Sequence, residues 1–307
     1  MTAPRITLAV LAYNQSSCIE AAVGSALAQV CEPVEILLSD DASTDDSFAR
    51  MAALAAGYRG PHQVSARRNE RNLGVGGHYN EIVRLARGSL LVTMAGDDIS
   101  VPQRVARIAA AWDDSSGRLD LIASHLLDMT PAGRLEGMLR VDDLSRWHGA
   151  ADWARARPYV IGAAHAFTKR IFERFGPLDA RLTYEDQVIT FRALLSGGAR
   201  TIDEPLVQYR RGGLSAGAPS RAERRAHAGT MNERQLIEHE QIERDARMAG
   251  MLDVVGPAIE RNGKRLRYFD RLLAAPDLAA RWRIFAASNE VPWGWRWRKF
   301  WASAGSR

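Results

Sequence analysis

The first hundred residues switch back and forth between two hydrophobic periods, and this alternation restricts the fold more than any other feature. "RITLAVLAYN" is a near-continuous apolar run, as is "VEILLSDD", and "SLLVTM" follows at 89–94. Such runs suit strands covered on both faces. Between the first two, "SSCIEAAVGSALAQV" carries Ile19, Val23, Ala26, Leu27 and Val30 at helical spacing. "STDDSFARMAALAAG" and "GGHYNEIVRLARG" read as further helices, with the weaker strand "HQVSARR" between them. Ser17 and Glu20 have the spacing of a capping box, as do Ser220 and Glu223 further on. The order βαβαβαβ predicts an α/β protein with a mostly parallel sheet and helices on both faces.

Parallel sheets bind ligands at the carboxyl ends of their strands. Three predicted strand ends finish in polar clusters here: Tyr13 with Asn14, Asp40 with Asp41, and Asp97 with Asp98. One such cluster means little, but three on a single rim mark a site. A second half follows, with a helix from Pro102, a strand in "LDLIASHLLDMT", a turn at "PAGR", and a helix from about Glu185 that should stop at Gly197-Gly198. "GGLSAGAPS", residues 212–220, reads as a linker. The expected division is a catalytic domain over 1–215, in halves 1–100 and 101–215, and a helical, basic, Trp-rich region over 219–307.

Charge separates these regions. From Pro219 to the end there are 17 Lys+Arg against 11 Asp+Glu, whereas the whole chain has a net charge of +5. The basic excess therefore sits in the tail, and nucleic acid is not expected as a partner of a body whose rim is acidic. "NLGVGG" does not follow the first strand, where the chain reads "AYNQSS", so a dinucleotide fingerprint is excluded. Cys18 and Cys31 make neither a disulfide framework nor a metal motif, which suits a reducing compartment. The short apolar run near the N-terminus continues straight into polar residues, unlike a signal peptide, and no run is long enough to cross a bilayer. The expected location is cytoplasmic, with peripheral contact at the inner face of a membrane as an option. That option comes from "RWRIFAASNEVPWGWRWRKFWASAGSR", which holds five of the eight tryptophans among cations and suits an anionic membrane surface. Base stacking, or packing against the body or a second subunit, are its other uses. "NERQLIEHEQIERDARMAG" is polar nearly all round and reads as a solvated or oligomer-forming helix.

Six segments, "LAVLAYNQ", "EILLSDDASTDDS", "RNLGVGG", "MAGDD", "FGPLDARLTYED" and "EPLVQYRRGGLS", together resemble family 2 glycosyltransferases in order and spacing. The resemblance runs from Ile6 to Ser215. It implies a GT-A fold, a nucleotide-sugar donor, inversion at the anomeric carbon, and a glycan or lipid-linked acceptor in bacterial-type surface polysaccharide synthesis. In such a reaction negative charge grows on the leaving diphosphate, which a divalent cation stabilises as a Lewis acid. Hard oxygen ligands suit Mg²⁺ or Mn²⁺.

The resemblance assigns Asp97 and Asp98 to metal and diphosphate, with Asp98 as a helix cap the alternative. Ala95 stands where relatives usually have a first acid and reads as a donor-pocket change. Gly212, after Arg210 and Arg211, stands where a metal-binding histidine often lies. Metal dependence is therefore open, and Arg211 is a candidate partner for the diphosphate. Asp186 matches the base, and its neighbour Glu185 contacts the acceptor or orients the site; the alternative for both is a helix-start acid. Asp41 matches the reader of the nucleobase, supported by Asp40, with Asn14 nearby. Tyr13 lies either against that base or at the core edge. Arg71, Asn72 and Gly74 match a loop near nucleotide or phosphate, Arg71 being either a phosphate partner or a solvated loop residue. Arg210 and Ser215 match residues that close over the leaving group. His78 and His165 read as packed histidines. Ala95 and Gly212 keep a second reading open, a nucleotide-sugar-binding module with lost or weak transfer.

Overall fold

The computed structural model describes residues 5–212 and 224–303, and the chain divides into two compact units, 1–216 and 217–307. In the first unit the alternation becomes β1 (Ile6–Ala12), α1 (Ile19–Leu27), β2 (Glu35–Asp40), α2 (Ser47–Gly57), β3 (Gln63–Arg68), α3 (Gly74–Leu85) and β4 (Leu90–Ala95). These four strands are parallel in the order β3-β2-β1-β4. Leu8, Val10, Ile36, Leu38, Leu90 and Val92 are fully buried, together with Ile19 and Val23 of α1 and Met51 of α2. β3 is the half-exposed edge, as its weaker pattern predicts. Ala12 lies opposite Asp40, and Leu11 opposite Ala95. This register sets the three polar strand ends side by side.

The second half makes the sheet mixed. It adds β5 (Ile99–Ser100), α4 (Arg104–Asp114), β6 (Leu121–Met129), β7 (Leu135–Leu139), α5 (Ala150–Arg155), β8 (Ala166–Thr168), α6 (Arg170–Phe175), α7 (Asp186–Leu194) and β9 (Ala199–Arg210). β8 joins β4 to β6 through two antiparallel pairings, β6 and β9 are parallel, and β7 pairs antiparallel with β6. Short β5 pairs antiparallel with the end of β9. The end of β9 thereby returns to the acids that follow β4.

The capping box expected at Ser17 and Glu20 does not form. Cys18 is the N-cap and makes no side-chain cap bond. The carbonyl of Gln15 accepts from the amides of Cys18 and Ile19 at 3.0 and 2.9 Å, so the helix starts one residue later than a Ser17 cap requires. Glu20 pairs with Arg50 instead. Ser215, the second capping box and all of the linker beyond Gly212 lie outside the described residues.

The second unit contains α8 (Arg224–Met248), α9 (Leu252–Ala274), α10 (Leu278–Ala287) and α11 (Trp293–Ser303). Its core gathers Tyr268, Phe269, Leu272, Phe285, Val291 and Phe300. No described helix is long and apolar enough to cross a membrane.

Candidate active site

The turns leaving β1 and β2 hold two non-glycine residues at positive φ, Asn14 at 52° and Ala42 at 61°. Each such residue costs on the order of 1–3 kcal/mol, and such outliers concentrate at functional sites. Asn14 earns its conformation locally: its side-chain oxygen accepts from the amide of Thr44 at 2.7 Å, and its own amide donates to Ser43 Oγ at 2.9 Å. Asp40 is fully buried. It accepts from the Ser43 amide and hydroxyl, and its carboxylate faces Arg68. Asp41 faces the other way. Its carboxylate accepts from Asn69 Nδ2 at 2.6 Å and from the amides of Leu73 and Gly74 at 2.9 and 3.0 Å. It thereby fixes the loop that carries Arg71 and Asn72, both exposed, to the end of β2. Tyr13 is 46% exposed at the same rim. His78 is buried and hydrogen-bonded to Ser39 Oγ, a packed residue as expected.

Asp97 and Asp98 occupy the turn between β4 and β5. Asp98 does not cap α4, whose N-cap is Gln103. One of its oxygens accepts from the Arg210 amide at 2.9 Å, and the other is buried with no partner. Burial, then the Asp97 carboxylate, push Asp98 up to about 8. Burial also raises Asp97, against Arg210 and Gln15. Arg210 wraps this turn, its Nε donating to the Asp97 carbonyl at 3.0 Å and its Nη1 to the Pro131 carbonyl at 2.8 Å. Behind it lies Arg104, fully buried, which donates to Ser100 Oγ and to the carbonyls of Thr93 and Ala163. Burial lowers Arg104 to about 10, which leaves it charged at neutral pH.

An orphaned carboxylate oxygen whose charge is opposed by burial and by a second acid is what a divalent cation would relieve. Among the described residues, however, no group of three or more His, Cys, Asp or Glu gathers into a metal site. Two carboxylates fit a cation that takes its other ligands from water and phosphate, as magnesium commonly does. Arg211 does not face this turn. Asp128 and Glu136 both pair with it.

Glu185 is the N-cap of α7 and Asp186 its first residue. Glu185 Oε1 accepts from the Tyr79 hydroxyl at 2.8 Å. Burial, then the adjacent Asp186, push Glu185 up to about 7, while Tyr79 holds it down. Burial likewise raises Asp186, against the amides of Gln187, Asp186 itself and Gly162. A Cβ on Gly162 would stand 2.3 Å from Glu185 Oε1, so any larger residue there would have to displace the Glu185 carboxylate.

Helix α3 joins the two sides of the site. Its first residues hold Asp41, and Tyr79 in its second turn holds Glu185. The Gly76 amide donates to Leu182, and a Cβ there would meet the Asp179 carbonyl at 2.2 Å. Asn80 exchanges two hydrogen bonds with the backbone of Leu178. Gln15, Tyr79, Arg104 and Gly162 were not among the sequence-derived site residues. Of these only Gly162, a glycine inside an apolar run, left a trace in the pattern. His165 is buried as expected, with neither ring nitrogen bonded, and burial followed by Arg104 lowers it to about 3. A cleft of about 480 Å³ beside Arg118, Asp120, Arg170 and Arg174 lies at the opposite end of the sheet, where β6 begins. Its arginines are engaged by Asp120 and by main-chain carbonyls, so it is not assigned to this chemistry.

The family model "Glycosyl transferase family 2" matches residues 7–137. The succinoglycan biosynthesis protein ExoO of Rhizobium meliloti is 30% identical over 217 residues, 67% of this chain and 60% of that protein. An uncharacterised glycosyltransferase of Nostoc is 26% identical over 246 residues, 76% of this chain and 74% of the other. The chain thus spans well under the full length of ExoO. Among solved structures, the mannosyltransferase PcManGT from Pyrobaculum calidifontis, in complex with GDP-Man and Mn²⁺, has a TM-score of 0.59 at 17% identity, over 99% of this chain and 87% of that one. S. aureus TarS 1–349, in complex with UDP-GlcNAc, has a TM-score of 0.57 at 17% identity, over 98% of this chain and 88% of that one. At such identities the likeness speaks for the GT-A fold.

Proposed function

We propose, from the match of residues 7–137 to glycosyltransferase family 2 and the likeness to ExoO, that the chain moves a sugar from a nucleoside-diphosphate donor to a glycan or lipid-linked acceptor in surface polysaccharide synthesis, inverting the anomeric carbon. The observation that carries this reading is Asp98 Oδ2, a buried carboxylate oxygen with no partner at the rim that Asp41 shares. In this reading Asp41 holds the loop around the nucleobase, and Arg71 faces solvent at the phosphate side. Asp97 and Asp98 would hold a divalent cation, which would stabilise charge on the departing diphosphate. Asp186 takes the proton of the acceptor hydroxyl. The acceptor oxygen bonds to the anomeric carbon as the bond to the diphosphate oxygen breaks, and this single displacement inverts the centre. A carboxylate made more basic by burial suits that role.

The first test is thermal stability with UDP, GDP, dTDP and CMP, each with and without Mn²⁺. One nucleotide with Mn²⁺ at about a hundredfold excess over its Kd should raise the Tm by roughly 5–10 °C. Mn²⁺ alone should give no comparable shift, since two carboxylates leave most of its coordination to the nucleotide and water. No shift with any nucleotide would overturn the reading. Binding without transfer to any saccharide or lipid-linked acceptor would favour the module that holds but does not transfer.

The acid limb of the pH profile of kcat/KM should lie above the ordinary carboxylate range, since burial raises both members of the Glu185–Asp186 pair. Tyr79→Phe removes the hydroxyl that lowers Glu185, so the limb should move to higher pH. An unmoved limb in a folded Tyr79→Phe protein would separate Glu185 from the chemistry.

A further inference from the structure

The second unit carries a surface that its own core does not need. Phe285 of α10 and Phe300 of α11 point inward, and Trp295 packs against them. Four other tryptophans point out. Trp282 is 51% exposed, Trp293 62%, Trp297 37% and Trp301 47%. Trp293, Trp297 and Trp301 recur every four residues, so they form one stripe along α11. Trp293 and Trp297 stack with ring centroids 5.8 Å apart, and Trp297 meets Trp301 edge-on at 5.6 Å. Trp282 reaches the same cluster through Phe300 at 5.8 Å. The aromatic cluster is therefore continuous across two helices, its exposed part being Trp282 and the α11 stripe. Contiguous exposed apolar surface of this kind marks an interaction site.

Its charge is one-sided. Neither α10 nor α11 contains an Asp or Glu. Arg283 directly follows Trp282 and Arg298 directly follows Trp297, and both arginines are exposed. Each lies about 100° further round its helix than its tryptophan, so cations border the aromatic stripe. The other cations of these helices are placed differently. Arg296, for example, is buried and donates to the Phe285 carbonyl at 2.8 Å.

We infer that the aromatic face of α10 and α11 docks on an anionic phospholipid surface, with Trp282, Trp293, Trp297 and Trp301 at headgroup depth and Arg283 and Arg298 against lipid phosphates. Tryptophan favours that depth because its ring is apolar and its N–H polar. Basic residues with aromatic neighbours and no acids fit a negative surface. A second copy using the same face would set arginine against arginine, which this charge pattern opposes. Stacking between Trp293 and Trp297 takes one face of each ring away from RNA bases. The inference does not depend on the transfer reading, because it uses none of the residues of the rim.

The test is co-sedimentation of the full chain with vesicles of phosphatidylglycerol and phosphatidylcholine, and with phosphatidylcholine alone. The wild type should partition to the anionic vesicles, weakly to the neutral ones, and less at high salt. Arg283→Glu with Arg298→Glu should lower partitioning by at least about 25-fold. Trp293→Ser, Trp297→Ser and Trp301→Ser together should abolish it, with the far-ultraviolet circular dichroism and the nucleotide-induced thermal shift unchanged. If the tryptophan variant misfolds, the arginine pair, which lies on the surface, decides alone. Wild type that ignores anionic vesicles, or variants that sediment like wild type, would overturn the inference. So would a wild-type protein that binds single-stranded RNA or forms concentration-dependent dimers through these residues without partitioning to vesicles.

Discussion

Asp186→Asn should lower kcat for sugar transfer by about 10²–10⁴-fold, the usual contribution of a general base. The substitution preserves size, and an amide oxygen can still accept from the Gln187 amide as the carboxylate does at 2.8 Å. The nucleotide-induced thermal shift should therefore survive. Stability supplies a second readout with the opposite sign. Glu185 is raised to about 7 by burial and then by the Asp186 charge. Its contribution to stability is complete below the ordinary glutamate range near 4.5 and is lost as pH rises through about 7. Removing the neighbouring charge lets Glu185 titrate lower, so part of that loss is recovered. Asp186→Asn should thus be inactive yet at least as stable as wild type at pH 8. Steady-state kinetics and thermal melts across pH check both halves. Full activity in a folded variant would remove Asp186 as the base.

Asp98→Asn should abolish the metal-dependent part of nucleotide binding and lower transfer by about 10²–10⁴-fold, corresponding to several kcal/mol of lost charge stabilisation. The asparagine oxygen can keep the Arg210 amide bond, which ties β9 to the turn after β4. What it removes is the charge beside the unpartnered oxygen. Affinity for the nucleotide should become the same with and without Mn²⁺, as measured by calorimetry. Asp97→Ala should weaken the metal dependence in the same direction. A variant that still responds to Mn²⁺ as wild type does would exclude Asp98 as a ligand.

The rim was readable in the sequence because its acids sit where apolar runs stop. Asp41 and Asp97 needed only a strand to end in front of them. Several of the contacts that hold the rim together were not readable, because one partner is a main-chain group distant in sequence. Arg210 meets Asp98 through its amide, 112 residues away, and no side-chain pattern records a backbone donor. Arg104 looks like an ordinary helical arginine in "VPQRVARI", yet it is fully buried because Thr93 and Ala163 offer it carbonyls. Arg211 was a candidate for the diphosphate because it stands beside the missing histidine. Asp128, on a strand that becomes its neighbour only in the folded sheet, takes it instead. The parallel first half follows from the alternation, but the antiparallel insertion of three-residue β8 between β4 and β6 has too short a pattern to be read.

Helix α3 determines how this chain can be recombined with its relatives. Gly76 has no room for a side chain against the Asp179 carbonyl, and Asn80 is matched in both directions to Leu178. Residues 69–80 and 176–186 would therefore have to be exchanged as one piece, although about a hundred residues separate them. A chimera cut near residue 100 would take the loop that Asp41 anchors from one parent and the acid pair from the other. Its parents would have to agree at this seam before a new donor preference could be grafted without misaligning the base.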